Sequence, residues 1–176
     1  EAFGVPVMIH SNLRDGSLRE AAREHKIPML LFEGGEALRF SETVTRIGVK
    51  GVINVMEAIG MLSCDNSICS LPESFHAHDS HWLRAPHSGI LQAKIKLGHR
   101  VKKDQLLGKI SDPFGTHTYD IRAKYSGIVI GMSMIPLFNK GDAVFHIATF
   151  EDAKLVEDNL DQYQEDILSE ADTFVT

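Results

Sequence analysis

The sequence predicts an α/β region followed by a small all-β domain, and three observations carry that prediction. Short apolar runs alternate with helical patterns over residues 1–62. Turn-bounded β-type segments with an internal repeat fill residues 83–149. An acidic, amphipathic stretch closes the chain at 150–176. Residues 63–82, "SCDNSICSLPESFHAHDSHW", carry no period and read as a linker. The chain has 176 residues, 43% of them hydrophobic, which suits one or two ordinary domains with packed cores.

The first apolar run, "VPVMI" at 5–9, reads as a short buried strand. "SLREAAREH" opens with Ser17 and has Glu20 three residues on, a capping box, and its alanine-rich body favours helix. A second strand is expected from Met29 to Phe32. Continuous apolar strands joined through a helix point to a parallel βαβ unit with both faces covered. From Ser41 to Leu62 a second helix is expected, with Val44, Ile47, Val52, Val55, Met56 and Ile59 on its apolar side. Gly48 and Gly51 are expected to break or kink it. Two strands cannot bury both faces of a sheet, and an isolated pair is marginal in water. This region is therefore expected to be the end of a larger α/β domain whose other strands come from outside the chain. The start, "EAFGVPVMIH", has neither an initiator Met nor a basic n-region, which fits a processed or partial chain without a signal peptide.

In the β half, "RAPHSGIL" (84–91) matches "RAKYSGIV" (122–129) at an offset of 38, and "VKKDQLLGKI" (101–110) resembles "FNKGDAVFHI" (138–147) at an offset of 37. Each copy reads as a strand, a Ser-Gly turn, a second strand, and a Lys-containing turn before a closing strand. Two such copies are expected to interlock as a pseudo-twofold sandwich or barrel. In the last segment Val156, Leu160, Tyr163 and Ile167 form one helical stripe, and the other faces are charged.

The formal net charge is −6, with nine Asp or Glu against one Lys in residues 151–176. The rest of the chain is close to neutral, so no basic field exists to attract nucleic acid. No apolar run approaches the roughly 20 residues of a membrane-spanning helix. The two cysteines, Cys64 and Cys69, are too few for a disulfide-stapled secreted fold, and a reducing cytoplasm is expected.

Glu33 stands out chemically. It ends the second apolar run and is followed by Gly34 and Gly35. In open α/β sheets ligands bind beyond the carboxyl ends of strands, and a partly desolvated carboxylate there can act as a general base. The alternative is a loop carboxylate that caps a helix or pairs with Arg39. Glu36 competes for the role but lies beyond the glycines and is expected to face solvent. His10 ends the first strand and Arg14 follows in its loop, so the two could bind a carboxylate substrate. Alternatively His10 caps the strand and Arg14 pairs with Asp15. Cys64, Cys69, His76, His78 and His81 are together enough for a zinc site, but the six residues between Cys69 and His76 do not match a zinc-finger spacing. Lys102, Lys103 and Lys140 sit in turns without the flanking residues of a lipoyl or biotinyl carrier lysine.

"HSNLRDGSLREAAREHKIPMLLFEGGEALRF" followed by "GVKGVINVMEAIGML" resembles the succinylglutamate desuccinylase/aspartoacylase family, zinc hydrolases with a carboxypeptidase-like α/β domain. The repeat half looks like the β-barrel that follows that domain, similar to the barrel-sandwich hybrid of lipoyl domains without the carrier lysine. The resemblance covers about residues 1–150. It implies that Glu33 is the general base, taking a proton from a zinc-bound water that attacks an amide or ester carbonyl and passing it to the leaving amine. It also implies a small acylated substrate and a Zn2+ cofactor. The family's His-x-x-Glu ligand pair, its later His and its main substrate-binding arginines are absent here. The chain therefore reads as a C-terminal portion that lacks the first part of its α/β domain and holds no catalytic metal alone. A homo-oligomer is left open. The competing reading is a non-catalytic β module for interaction or oligomerisation, of lipoyl-like fold.

Overall fold

The computed structural model describes residues 1–63 and 71–173. They divide into two units, one of Glu1–Gly4 with His10–Leu71 and one of Val5–Ile9 with Pro72–Thr176.

The first unit holds two helices. α1 (Leu18–Glu24) begins at the expected cap: the Ser17 hydroxyl accepts from the Glu20 N–H at 3.2 Å. The return bond of the capping box lands one residue early, with the Gly16 N–H donating to Glu20 Oε2 at 2.7 Å. α2 (Glu42–Ala58) is capped by Ser41, whose hydroxyl accepts from the Val44 N–H at 3.3 Å. It runs unbroken for 17 residues, so Gly48 and Gly51 do not end it. They seat aromatic rings instead. The Phe3 ring occupies the space a Gly51 Cβ would need, and a Cβ on Gly48 would stand 3.3 Å from the Phe32 ring. Phe3 and Phe32 meet with centroids 5.1 Å apart. Each glycine costs a helix about 1 kcal/mol relative to alanine, and aromatic burial of this kind offsets it.

The βαβ expectation is corrected. Met29–Phe32 forms no strand. Its expected neighbour, β1 (Val7–Ile9), pairs in parallel with β2 (Phe75–Ala77), Val7 opposite Phe75 and Ile9 opposite Ala77. The Phe75 N–H donates to the Pro6 carbonyl at 2.8 Å, and the Ser74 hydroxyl to the Val5 carbonyl at 2.8 Å. The segment read as linker thus contains β2 and most of β3 (Asp79–Arg84). A His-rich strand held by a partner almost seventy residues away leaves no local apolar period. Cys64 and Cys69 lie outside the described residues.

The rest of the second unit contains β4 (Gly89–Ala93), β5 (Arg100–Val101), β6 (Leu106–Ser111), β7 (Thr118–Arg122), β8 (Gly127–Met132), β9 (Leu137–Phe138) and β10 (Ala143–Thr149). With β3 they form two four-stranded antiparallel sheets, ordered β3-β10-β8-β5 and β7-β6-β4-β9. Both contribute to one core that includes Leu83, Leu107, Ile110, Val129, Val144 and Phe145.

The internal repeat explains how the two halves hold each other. The Arg84 guanidinium donates to the Gly141 carbonyl at 2.8 Å, and its repeat counterpart Arg122 donates to the Asp104 carbonyl at 3.0 Å. Ser88 Oγ accepts from the Lys140 N–H and Ser126 Oγ from the Lys103 N–H, each at 3.0 Å. The Ala85 N–H donates to the Asp142 carbonyl, the Ala123 N–H to the Gln105 carbonyl. Asp104 and Gly141, the equivalent turn residues, both have positive φ, 66° and 94°. Each copy of Arg-Ala-x-x-Ser-Gly therefore grips the turn of the other copy. The glycines are required for closeness: a Cβ on Gly89 would strike the Ser111 carbonyl, and one on Gly127 the Ala148 carbonyl. Two aromatic pairs join the copies as well, His87 on Tyr119 and His81 on Tyr125, with centroids 3.6 and 4.6 Å apart.

α3 (Ala153–Thr173) packs on β8 and β5 through its apolar stripe, in which Val156 is buried and Leu160, Tyr163 and Ile167 are half-buried. Glu157 ties it down, accepting from the Arg100 N–H at 2.8 Å.

The β6–β7 hairpin is organised by Asp112. Its carboxylate accepts from the backbone N–H groups of Phe114, Thr116 and His117, from the Thr116 hydroxyl, and meets the His117 ring at 3.1 Å. Partial burial pushes this carboxyl up, but the bonds from the Thr116 side chain, the His117 backbone and ring, and the Thr116 backbone outweigh it and hold it well below the usual carboxylate range. A lowered folded value means that the stabilisation is full above the unfolded value near 4 and is lost only as pH falls through the lower one.

Two outcomes are expected. Gly127→Ala should destabilise the protein by roughly 1–3 kcal/mol in urea unfolding, because the ladder at Ala148 must shift to admit a methyl group. The Thr116 and His117 amide resonances should hold their native positions as pH is lowered through about 4 and move only in stronger acid. A midpoint near 4 would mean that the turn does not grip Asp112.

Candidate functional site

Glu33, His10 and Arg14 all lie in the first unit. Glu33 follows Phe32, whose ring is held between Phe3 and Gly48. The turn after it is set by α2. A Cβ on Gly34 would stand 2.7 Å from Val44, and Gly35 has φ +80°, the left-handed region that favours glycine. The close approach these two glycines permit is therefore to α2.

The Glu33 side chain is exposed, and among the described residues no hydrogen bond or ion pair reaches it. Neither alternative foreseen for it is realised. Ser41 caps α2, and Arg39 pairs with Glu36 at 2.7 Å. Glu36 is partly buried in that pair, which corrects the expectation that it faces solvent. With no strand at Met29–Phe32, Glu33 stands at no sheet edge, and the desolvation expected of it is not supplied by this chain.

His10 directly follows β1 and is exposed; Arg14 is exposed in the next loop, where its carbonyl accepts the Ser17 N–H at 3.1 Å. No ion pair joins Arg14 to Asp15 among the described residues. No hydrogen bond links His10, Arg14 and Glu33 to one another.

The histidines of residues 76–81 are employed in the second unit. His76 lies in β2, the His78 N–H donates to the Thr149 carbonyl at 2.9 Å, and His81 pairs with Asp79 at 3.0 Å beneath the Tyr125 ring. Among the described residues no group of three or more His, Cys, Asp and Glu could hold a metal ion. A zinc ion does not fit these residues, and Glu33 alone is one carboxylate where a catalytic zinc takes three protein ligands. No helix among the described residues is long and apolar enough to cross a membrane.

The sequence carried no signal for one polar feature. Glu57 Oε2, near the end of α2, is buried without a hydrogen-bond partner among the described residues.

Solved structures resemble this chain over most of its length. A succinylglutamate desuccinylase from Silicibacter sp. TM1040 superposes with a TM-score of 0.74 at 23% identity, over 85% of this chain and 47% of its own. The product-bound ectoine utilization protein of Ruegeria pomeroyi gives 0.75 at 24% identity, over 84% and 47%. A succinylglutamate desuccinylase/aspartoacylase from Rhodobacter sphaeroides gives 0.75 at 21%, over 85% and 48%. The fold is that of the succinylglutamate desuccinylase/aspartoacylase proteins. The chain spans about half the length of these structures. No protein-family model and no curated protein matches the sequence.

Because the described residues offer no metal site, the purified chain is expected to retain far less than one zinc per molecule after dialysis, read by elemental analysis. A full equivalent that survives dialysis would assign a site to this chain itself.

Proposed function

We propose that the chain is the C-terminal portion of a hydrolase of the succinylglutamate desuccinylase/aspartoacylase type, cleaving an amide or ester bond in a small acylated substrate. The observation that carries this reading is the likeness to structures of succinylglutamate desuccinylase and succinylglutamate desuccinylase/aspartoacylase over 85% of this chain and about half of theirs. This chain's contribution to the chemistry is a carboxylate. Glu33 takes the proton of the attacking water and returns it to the leaving amine or alkoxide, a role for which geometry and a tuned pKa are both required. His10 and Arg14 lie in the same unit and would hold an anionic group of the substrate. Zinc, the metal the resemblance implies, would lower the pKa of that water and polarise the carbonyl; its ligands belong to the remainder of the α/β domain, outside this chain. A cytoplasmic location is part of this reading.

A second reading is favoured by the self-contained core of the second unit: a β module for interaction or oligomerisation, with no part in chemistry. The two separate cleanly. In the complete protein Glu33→Gln should lower kcat by about 10²–10⁴ while the zinc content stays unchanged. Turnover near normal would remove Glu33 from the mechanism and leave the β module as the better account.

A further inference from the structure

The pseudo-twofold of the second unit relates two outer faces, and only one of them is covered. β8 and β5 correspond to β4 and β9. Ile128 stands opposite Arg100 and Gly127 opposite Val101, as Ile90 stands opposite Leu137 and Gly89 opposite Phe138. The backbone bonds agree: the Val129 N–H donates to the His99 carbonyl at 3.1 Å, and the Leu91 N–H to the Pro136 carbonyl at 2.8 Å. On the first face α3 packs across β8 and β5. Ile128 and Val156 are fully buried there, outside the core that the two sheets share. The same isoleucine in the other copy, Ile90, is 39% exposed, and Leu137 beside it is 70% exposed. Ile135, two residues before Leu137, is 59% exposed. An apolar strip is bare where its symmetry equivalent carries a helix.

The width and charge of the strip select its occupant. Further across the sheet the outer positions are polar, with Asp120 meeting both Lys109 and Arg122. Along β4 and its continuation, Gln92, Lys94 and Lys96 alternate with the inward Leu91 and Ile95, so they share the outer face with Ile90. The apolar part is therefore two strands wide, about 10 Å, which matches one helix and is too narrow for a second sheet. α3 shows how a helix lies on such a face. Glu157 meets Arg100 at 3.5 Å, and Gln164, two turns on, stands over Gly98. On the bare face Leu137 and Ile135 take the places of Arg100 and Gly98. A helix there needs apolar side chains where α3 has Glu157 and Gln164, so α3 of a second copy does not fit. The lysines beside the strip call for acidic residues on the flank of that helix. α2, with two acidic and two basic residues, does not supply them.

We propose that the β4–β9 face is a docking site for an acidic amphipathic helix of another protein. The helix lies along β9 as α3 lies along β5, and it seats apolar residues seven apart on Leu137 and Ile135. Its acidic flank faces Lys94 and Lys109. Nothing in this interaction involves Glu33 or a metal.

The probe is a synthetic peptide of residues 151–170 carrying Glu157→Leu and Gln164→Leu, titrated into the methyl-labelled 176-residue chain. The Ile90, Ile135 and Leu137 resonances should shift and saturate at one peptide per chain, while those of Ile128 stay in place. The unaltered peptide should bind roughly tenfold more weakly or worse, because it sets a carboxylate on Leu137. Leu137→Arg gives the strip the character of the face that α3 covers. It should reverse the order of the two peptides and, at an exposed position, leave the melting temperature of the chain unchanged. Absence of binding by the altered peptide, or an order of affinities that Leu137→Arg does not reverse, would overturn the proposal. A dimer of the chain abolished by Leu137→Arg would give the strip to a second copy and overturn it too. So would Ile90 and Leu137 methyl groups that a soluble paramagnetic agent reaches in this chain but not in the longer polypeptide containing it.

Discussion

The second unit depends on a reciprocal grip between two copies of one short motif. In each copy an Arg reaches a carbonyl in the turn of the other copy, an Ala amide and carbonyl bond to that turn, and a Ser hydroxyl accepts the amide of its lysine. Neither copy can complete its turn alone, so neither can close its half of the core alone. The two sheets share Leu83, Val101, Leu107, Ile110, Val129 and Phe145 because the grip fixes their spacing. The buried turn amides and carbonyls are satisfied across the pseudo-twofold rather than within one copy, which makes the interlock cooperative. The same grip occupies the lysine turns. The Lys103 and Lys140 backbones are held by Ser126 and Ser88, and the hairpin tip between β6 and β7 presents the exposed Phe114 rather than a lysine.

The first unit lacks any such closure. It has two well-capped helices and one aromatic pair, but many of its other apolar residues are exposed, Leu30, Leu31, Val49 and Val52 among them. The difference between the units is one of partners rather than of composition. α2 is as amphipathic as a core-facing helix needs to be. Its glycines admit Phe3 and Phe32, so its packing is specific where it exists. Among the described residues, this unit has no sheet for the exposed valines and leucines to cover.

That contrast also sets what was legible in the sequence. The β half could be read because its signal is local and duplicated: Ser-Gly turns, apolar strands and Lys turns recur at fixed offsets, and the structure assigns a contact to each repeated residue. The Ser17 cap was legible for the same reason. β2 was not, since "FHA" has no apolar period and its pairing with β1 is decided by a partner far along the chain. Gly48 and Gly51 were misread because propensity counts only the cost of a glycine, and the rings that need the space, Phe32 at Gly48 and Phe3 at Gly51, lie in separate earlier segments. Met29–Phe32 has the composition of a strand, but a strand is a pairing, and composition cannot supply the second member. Glu33 was visible only as a carboxylate between an apolar run and two glycines. Nothing local distinguishes a base from a loop residue there, and the functional weight came from resemblance.

The chemistry proposed for Glu33 and the exposure of the apolar run before it are physically one problem. A carboxylate in open water sits near its ordinary pKa and is a weak base at neutral pH. To accept a proton efficiently it must be lifted toward the working pH, and partial desolvation is the usual means. In this chain Glu33 is exposed. It is attached, however, to the end of an apolar segment that no backbone hydrogen bond reaches among the described residues. Whatever strand covers Leu30 and Leu31 also narrows the solvent around the residue that follows Phe32. Burial of the apolar run and partial desolvation of the carboxylate would then arise in the same step.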